Sequence, residues 1–384
     1  MKLRGIVFIS AVDWNFLKQR VHHLAVGLAA AGLKVLFIEN TGVRTPRLSD
    51  IPRVLQRLRV AFAAGTRGKG EPLPLNVEVY SPLVLPFPYF GPAVAYNFRI
   101  LKRAVAGFLG RHNLQPQEAI LFSYLATPVV LQLAKTFCWD KVVYDVVSDP
   151  KLVEPRLAPF ERQFLQRADV TLFASATLLE QYWNITRNPV LFRDGFNTEL
   201  LEAKAEIPPE VAKLPRPRLL YLGGINRKLW TEAIQALARA MPDASIILVG
   251  PVAPGEVTLP QLPNIYWFPP VKHYTDLAGY LKAADVGLIP YRPDPYAGAM
   301  QPAKLNEYLV FGLPVVATAT EELRRLADES PEKMFYLAET LEAFRNAVCL
   351  AIAENAVEPM VRRQKISEDN KWLNRVKELI AVLS

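Results

Sequence analysis

The chain has 384 residues, of which 51% are apolar and 21% charged, and its formal net charge is +8. This balance is typical of a globular protein and excludes a disordered or fibrous chain. The length exceeds that of one core of about 100–200 residues, so we expect two domains. The two cysteines, Cys138 and Cys349, form no CxxC pair, which favours a reducing compartment. No apolar run reaches the roughly 18–20 residues needed to cross a bilayer.

The first half of the chain alternates between β-branched, strand-like runs and helix-like runs. Gly5–Ser10 is predicted to be a strand, Phe16–Ala31 a helix and Val35–Ile38 the next strand, which together form one βαβ unit. The remaining elements predicted in this half are the strands Val77–Leu85, Ile120–Ser123, Lys141–Val147 and Val170–Ala174, and the helices Ala93–Leu109 and Thr127–Thr136. The alternation predicts a parallel sheet covered by helices.

A polar, proline-rich stretch, Ala203–Pro217, is predicted to be the domain boundary. A second series follows, with predicted strands Arg218–Leu222, Ser245–Val249, Ile265–Phe268, Val286–Pro290 and Val315–Thr318, and helices Leu229–Ala240, Tyr274–Ala283 and Lys304–Phe311. The last segment, Val361–Leu383, is predicted to be one closing helix. Because ligands bind at the carboxyl ends of the strands in such folds, two facing halves predict a site in the cleft between them.

The segment Pro302–Thr318 carries the pattern most typical of a ligand site. Lys304 starts a predicted helix whose opening amides have no partner within the helix, and amides and ammonium together favour a diphosphate. Glu307 follows one turn later on the same face, where its carboxylate could accept hydrogen bonds from ribose hydroxyls. The alternative is that the two residues form an ordinary surface pair.

Two further segments of the second half are candidates for contact with the same ligand. Gly223 and Gly224 follow a predicted strand, and Arg227 and Lys228 come next, so the loop is either a phosphate contact or a solvated basic turn. Tyr291 follows another predicted strand, Val286–Pro290, and it either borders a nucleotide base or is a half-buried aromatic residue.

These segments resemble the signature of glycosyltransferases of the GT-B fold. The resemblance is carried by Asp194–Asn197, Leu220–Gly224, Asp285–Tyr291 and Pro302–Thr318. It implies an α/β protein with two facing Rossmann-like domains and a C-terminal helix that crosses back to the first domain. The implied division is an acceptor-binding domain at 1–202, a nucleotide-sugar-binding domain at 203–360 and the returning helix at 361–384.

The resemblance also bears on the reaction. Many retaining members carry two glutamates eight positions apart; Glu307 matches the second, but Ala299 occupies the first position, so the anomeric outcome stays open. Asp145 and Asp149 lie near the carboxyl end of a predicted strand, and a carboxylate can serve as the base for direct attack by a hydroxyl. This segment resembles that of the xanthan glucuronosyltransferase, an inverting member, which implies Asp149 as the catalytic base. The alternative is that Asp149 caps the following helix.

The first domain offers candidates for acceptor and membrane contact. The opening of the chain resembles that of teichuronic acid glycosyltransferases, which implies an acceptor-side role for Asp13 and Trp14. Between Arg44 and Lys69 there are seven basic residues and one acid, Asp50, along an amphipathic pattern. Such a helix can lie on anionic lipid, so the predicted membrane-binding residues are Arg53, Arg57 and Arg59. A solvated basic face is the alternative, and no nucleic-acid-binding signature accompanies the charge.

The predicted function is that of a hexosyltransferase of polysaccharide biosynthesis. It is expected to move a sugar from a nucleotide-sugar donor, a UDP-sugar, to a lipid-linked or cell-envelope saccharide. No cofactor or metal ion is expected, because the chain has no Asp-x-Asp pair or HExxH motif and the class neutralises the leaving diphosphate without a cation. The expected location is cytoplasmic, on the inner face of the cell membrane. The alternatives are a nucleotide-sugar epimerase of the same fold and a non-catalytic protein that binds saccharide or membrane.

Overall fold

The computed structural model describes residues 3–16, 18–42, 72–330, 334–354 and 357–384. The chain forms two compact units. The first comprises Met1–Ala174, Leu178–Phe192 and Val376–Ser384, and the second comprises Ser175–Thr177 and Arg193–Arg375. The predicted assignment of acceptor and donor binding to 1–202 and 203–360 stays a prediction.

The first unit is built on a parallel sheet of seven strands. These are β1 Gly5–Ile9, β2 Lys34–Ile38, β3 Val77–Tyr80, β4 Ala119–Ser123, β5 Lys141–Val146, β6 Val170–Phe173 and β7 Pro189–Leu191. Their order in the sheet is β3-β2-β1-β4-β5-β6-β7. Every residue of β1 and β4 is buried, because helices cover both faces of the sheet and an uninterrupted apolar strand fits between them.

The helices of the first unit include the end of the last helix of the chain. In chain order they are α1 Arg20–Ala30, α2 Gly91–Arg111, α3 Pro128–Thr136, α4 Pro150–Val153, α5 Ala158–Arg167 and α6 Ala176–Tyr182, whose first two residues belong to the second unit. The residues Val376–Ser384 pack against this unit: Gly27 of α1 leaves no room for a β-carbon beside Val376, and Lys141 Nζ donates to the carbonyl of Leu383 at 2.6 Å. The predicted return of the C-terminal helix to the first domain is therefore confirmed.

The second unit is built on a parallel sheet of six strands. These are β8 Arg218–Leu222, β9 Ser245–Val249, β10 Ile265–Phe268, β11 Val286–Ile289, β12 Val315–Thr318 and β13 Tyr336–Ala338, in the order β10-β9-β8-β11-β12-β13. The helices that follow in the chain are α7 Glu199–Glu202, α8 Pro209–Ala212, α9 Thr231–Ala240, α10 Leu277–Ala283, α11 Pro295–Gly298, α12 Lys304–Val310, α13 Glu321–Glu329, α14 Leu341–Ala353, α15 Val357–Glu368 and α16 Trp372–Leu383.

The prediction of one closing helix is wrong, because α15 and α16 are separate. The residues between them pair with Phe196, whose N–H donates to the carbonyl of Asn370 at 2.9 Å and whose carbonyl accepts from the N–H of Trp372 at 3.0 Å. These strand-like bonds use backbone groups that a continuous helix would need for itself. The interruption therefore follows from a contact that is remote in sequence.

Both sheets reverse their strand order once, between β1 and β4 in the first unit and between β8 and β11 in the second. Ligands of doubly wound folds bind at the carboxyl ends of the strands that flank this reversal. Asp13 and Trp14 follow β1, the glycines Gly223 and Gly224 follow β8, and Tyr291 follows β11. Within the described ranges, none of the helices combines the length and the apolar character needed to span a bilayer.

Candidate functional site

Three segments of the second unit meet at the side chain of Tyr291. Its hydroxyl accepts a hydrogen bond from Lys304 Nζ at 2.8 Å. The same ammonium lies 4.9 Å from the centre of the Tyr291 ring and 4.6 Å from that of Tyr221. Lys228 Nζ lies 5.3 Å from the centre of the Tyr291 ring. These four residues, Tyr221, Lys228, Tyr291 and Lys304, form what we call the lysine–tyrosine cluster, which contains three of the predicted donor-binding residues.

The cluster holds two positive charges close to one phenol. Lys304 is 8% exposed and Tyr291 is 2% exposed, so the Tyr291 ring is occupied by the lysines and does not lie open for a base to stack on. Burial lowers the pKa of Lys304 and the nearby Lys228 lowers it further, whereas Tyr291 and Glu307 oppose this shift. Burial alone would raise the pKa of Tyr291, but the ammonium groups of Lys228 and Lys304 outweigh it and lower that pKa to about 8. Among the described residues, no carboxylate forms an ion pair with either lysine.

The loop after β8 passes close to Lys304 because two glycines allow it. Gly223 has a φ of +118°, and a β-carbon there would lie 3.4 Å from both Cε and Nζ of Lys304. Gly250, which follows β9, has a φ of +146°, and a β-carbon on it would collide with the carbonyl oxygen of Gly223. Side chains at either position would meet strain as well as contact. The sequence indicated Gly223 and Gly224 but not Gly250. Glycine is needed at position 250 because the residue approaches Gly223 on the neighbouring strand, and only the fold shows this approach.

Glu307 lies on the same helix as Lys304, one turn later. Its Oε1 accepts a hydrogen bond from the hydroxyl of Tyr274 at 2.8 Å. Burial raises the pKa of Glu307 and Asp194 raises it further, whereas the Tyr274 hydroxyl and Lys304 lower it. Asn306 Nδ2 donates to the carbonyl of Asp194 at 3.0 Å, which holds this turn of the GT-B-like signature against α12. Tyr274 had no signal in the sequence, since it lies 33 residues away.

The expectation of free amides at the start of α12 is wrong for two of them. The N–H of Leu305 donates to the carbonyl of Pro302 at 2.9 Å, and that of Asn306 donates to the carbonyl of Ala303 at 3.2 Å. The preceding residues already turn helically, so they supply acceptors that an abrupt helix start would lack. The positive charge here therefore comes mainly from side chains. Arg227 is exposed, with its guanidinium carbon 3.8 Å from the ring centre of Tyr296.

In the first unit, the Asp149 carboxylate accepts three hydrogen bonds. Its Oδ1 accepts from the N–H of Lys151 at 3.0 Å and from the hydroxyl of Tyr182 at 2.9 Å, and its Oδ2 accepts from Gln181 Nε2 at 3.0 Å. The bond to Lys151 caps the start of α4, as the alternative interpretation of Asp149 predicts. A carboxylate has about four acceptor positions, and one on Oδ2 remains for another donor.

Two other acids near Asp149 are buried. Asp145 accepts two hydrogen bonds from Arg20, at 2.7 and 3.0 Å, and this pair is closed off from solvent. Glu161 is 1% exposed and accepts a hydrogen bond from the hydroxyl of Tyr144 at 3.3 Å. Burial, followed by the charge of Asp149, raises the pKa of Glu161 to about 8. Of the three acids, Asp149 is therefore the one that is placed to meet a ligand.

Asp13 and Trp14 are held by packing at the carboxyl end of β1. The N–H of Trp14 donates to Glu39 Oε1 at 2.8 Å, and its ring meets that of Phe37 edge-on with centroids 4.9 Å apart. His22 Nδ1 accepts from the N–H of Gln19, which leaves Nε2 to donate to the carbonyl of Asp13 at 3.2 Å. The acceptor-side role of Asp13 and Trp14 stays a prediction.

The predicted membrane-binding residues Arg53, Arg57 and Arg59 lie outside the described residues. In the part of the chain that the structure describes, no three side chains among His, Cys, Asp and Glu are grouped so that they could hold a metal ion.

Comparison with known proteins shows that the chain is similar to glycosyltransferases. Residues 216–354 match the family "Glycosyl transferases group 1". The glycosyltransferase TuaH of Bacillus subtilis (strain 168), named for teichuronic acid biosynthesis, is 30% identical over 208 residues, which are 48% of this chain and 52% of that protein. The match thus spans about half the length of this curated relative.

Solved structures resemble nearly the whole chain. Sucrose-phosphate synthase from Thermosynechococcus elongatus has a TM-score of 0.69 at 16% identity, covering 99% of this chain and 98% of that one. Anabaena HepE in complex with UDP-glucose has a TM-score of 0.63 at 14% identity, covering 98% and 99%. An Escherichia coli trehalose-6-phosphate structure bound with UDP-2-fluoro glucose has a TM-score of 0.63 at 13% identity, covering 99% and 98%.

These similarities confirm the class predicted from the sequence: the chain has the GT-B fold and resembles glycosyltransferases of the cell envelope. Residues 216–354, which match the glycosyl transferases group 1 family, include the whole lysine–tyrosine cluster and Glu307.

Proposed function

We propose that the protein is a metal-independent glycosyltransferase that takes a sugar from a UDP-sugar donor. The observation that carries the proposal is the lysine–tyrosine cluster, where Lys228 and Lys304 share one phenol and no described carboxylate is paired with them. A diphosphate supplies two negatively charged groups and several acceptor oxygens for these lysines. Support also comes from HepE, a protein of the same fold that was solved with UDP-glucose.

In the proposed reaction, the donor diphosphate is the leaving group. Lys228 and Lys304 stabilise the negative charge that develops on it as the bond to the sugar breaks, so no metal ion or other cofactor is invoked. Gly223 and Gly224 let the backbone approach the phosphates, and Glu307 accepts hydrogen bonds from the ribose. Arg227 is a further candidate for phosphate contact.

The proposed base is Asp149, which removes the proton from the acceptor hydroxyl through its remaining acceptor position on Oδ2. Tyr182 and Gln181 orient the carboxylate for this task. We expect Asp149→Asn to lower the rate of sugar transfer at least about 100-fold while UDP affinity changes less than twofold. Asp140→Asn, a change at an exposed acid of the same unit, is the control. Near wild-type transfer by Asp149→Asn would remove Asp149 from this role.

The proposed acceptor is a lipid-linked or cell-envelope saccharide, presented at the cytoplasmic face of the membrane. The name of TuaH, a relative assigned to teichuronic acid biosynthesis, supports an envelope acceptor. A second support is the segment Pro82–Phe90, which we call the apolar ridge. Asn97 of α2 holds it through both backbone groups of Leu85, at 2.7 and 2.9 Å, while Phe87 and Phe90 stay 49% and 61% exposed. Exposed basic residues follow on α2, namely Arg99, Lys102 and Arg103.

Product analysis tests the proposal against its alternatives. The protein is incubated with UDP-glucose, UDP-N-acetylglucosamine or UDP-glucuronic acid, with and without a polyprenyl-diphosphate-linked saccharide. We expect UDP release that depends on the acceptor, together with a lengthened saccharide. Conversion of the donor sugar to its epimer without acceptor would favour the epimerase. If no nucleoside diphosphate bound at all, a non-catalytic protein would be the better account.

A further inference from the structure

We propose that Tyr291 is a positioning residue, which joins Lys228 to Lys304 and so sets the spacing of the two ammonium groups for a diphosphate. This inference rests on the proposed function of the same site. It differs from the sequence-based prediction for Tyr291, contact with a nucleotide base, because the ring is buried against the two lysines.

The backbone of Tyr291 is bonded to the segment that carries Lys228. Leu229 and Tyr291 form an antiparallel bridge. On one side of it the N–H of Arg292 donates to the carbonyl of Lys228 at 2.8 Å, and on the other the N–H of Trp230 donates to the carbonyl of Pro290 at 2.8 Å. Residues on both sides of Tyr291 are thus tied to the loop between β8 and α9, so this loop and Tyr291 hold a common position.

The side chain of Tyr291 reaches the other lysine. Lys304 belongs to α12, a different element, and within the described ranges the phenol oxygen of Tyr291 is its hydrogen-bond acceptor, at 2.8 Å. The Tyr221 ring lies beneath the same ammonium, but the Tyr221 hydroxyl is already used to donate to the carbonyl of Gly224 at 2.9 Å. The Tyr291 hydroxyl therefore links α12 to the Lys228 loop.

This link opposes the repulsion between the two ammonium groups. Each lysine lowers the pKa of Tyr291, and Lys228 also lowers the pKa of Lys304, so the three groups interact strongly. Burial raises the pKa of Tyr221 and of Tyr308, and the Tyr291 phenol raises both further. Glu307 in turn acts on Lys304. Without the Tyr291 hydroxyl, Lys304 would lose its hydrogen bond and its ammonium would be free to move away from Lys228.

The test compares the binding of UDP and UMP by titration calorimetry. A pair of ammonium groups from two segments matters most for a ligand with two phosphates. We expect Tyr291→Phe to weaken UDP binding about tenfold and UMP binding less than twofold, so that the preference for UDP falls. Loss of packing alone would weaken both ligands alike, and that result would overturn the inference, as would an unchanged UDP preference.

Tyr308→Phe is the matched control, because the Tyr308 hydroxyl also lies in the core of this unit but bonds to the backbone of Leu220 and Leu222. It is expected to lower the thermal stability and to keep the UDP preference.

A second measurement uses Lys304→Ala with and without Tyr291→Phe. If Tyr291 acts through Lys304, the double variant binds UDP as weakly as Lys304→Ala; additive losses would contradict this. Failure of the proposed function would be distinct, since the wild-type protein would then show no UDP preference to lose.

Discussion

At the residue scale, the partners of each charged group distinguish structural residues from candidates for ligand binding. Arg20 and Asp145 neutralise each other inside the first unit, with two hydrogen bonds between them. Lys228 and Lys304 have a phenol where a carboxylate would be expected. Glu307 is the carboxylate that acts on Lys304, and it does so without forming an ion pair with it. Two ammonium groups beside one phenol favour a ligand that supplies negative charge.

Glu161 gives a prediction about pH. Burial raises the pKa of Glu161 from 4.5 to about 8, so the folded state holds this proton more tightly than the unfolded state does. The contribution of this group to stability is therefore complete below about pH 4.5 and is lost as the pH rises towards 8, by roughly 1.4 kcal/mol per pH unit. Chemical unfolding between pH 5 and pH 8 measures this slope.

We expect Glu161→Gln to remove that part of the slope, because the amide does not ionise. Glu180→Gln, at an exposed position of the same unit, should leave the pH dependence as it is. An equal slope in Glu161→Gln and in the wild-type protein would show that other groups cause it.

At the scale of elements, a buried ion pair joins the first helix to an interior strand of the first sheet. Arg20 starts α1 and Asp145 lies in β5, 125 residues away. Asp145→Asn would leave the guanidinium buried and without its countercharge, at a cost of about 3–5 kcal/mol in the free energy of unfolding. The exposed pair between Arg111 and Glu78 offers a contrast, and Glu78→Gln should cost less than about 1 kcal/mol. Urea denaturation measures both; equal costs would contradict the role of the buried pair.

The sequence predicts some elements better than others, for physical reasons. Ser245–Val249 and Val315–Thr318 have their predicted bounds, because strands covered on both faces are uninterrupted apolar runs. The break between α15 and α16 had no local signal, since it depends on Phe196. In the site, Lys304 and Glu307 could be found from their motif, whereas Tyr274 could not, because only the fold brings its hydroxyl to Glu307.

At the scale of the molecule, the topology of each unit explains where the candidate residues lie. The alternation of strands and helices predicts two parallel sheets, but the order of the strands follows only from the structure. That order places the loops after β8 and β11 at the reversal of the second sheet, where a ligand is expected. Burial of Tyr291 between the lysines could not be predicted, because it requires three separate segments to meet.

The apolar ridge gives a prediction for the whole protein. We expect vesicles of anionic lipid to bind the wild-type protein, and Phe87→Ser with Phe90→Ser to weaken this binding at least about tenfold, since two exposed rings then no longer enter the interface. Trp183→Ser is the control, because Trp183 is 58% exposed in the same unit but lies outside the ridge. Binding that is unaffected by the ridge variant would exclude this surface as the membrane contact. Replacing Arg53, Arg57 and Arg59 with uncharged residues tests separately whether the predicted basic helix contributes to vesicle binding.

The central claim is that Lys228 and Lys304 bind the diphosphate of the donor. Calorimetric titration of UDP into the wild-type protein, Lys304→Ala and Lys272→Ala tests it most directly, with Lys272 as an exposed lysine of the same unit. The account predicts that Lys304→Ala binds UDP at least about tenfold more weakly than the wild-type protein, while Lys272→Ala binds it equally well. UDP binding by a folded Lys304→Ala variant with wild-type affinity would contradict it.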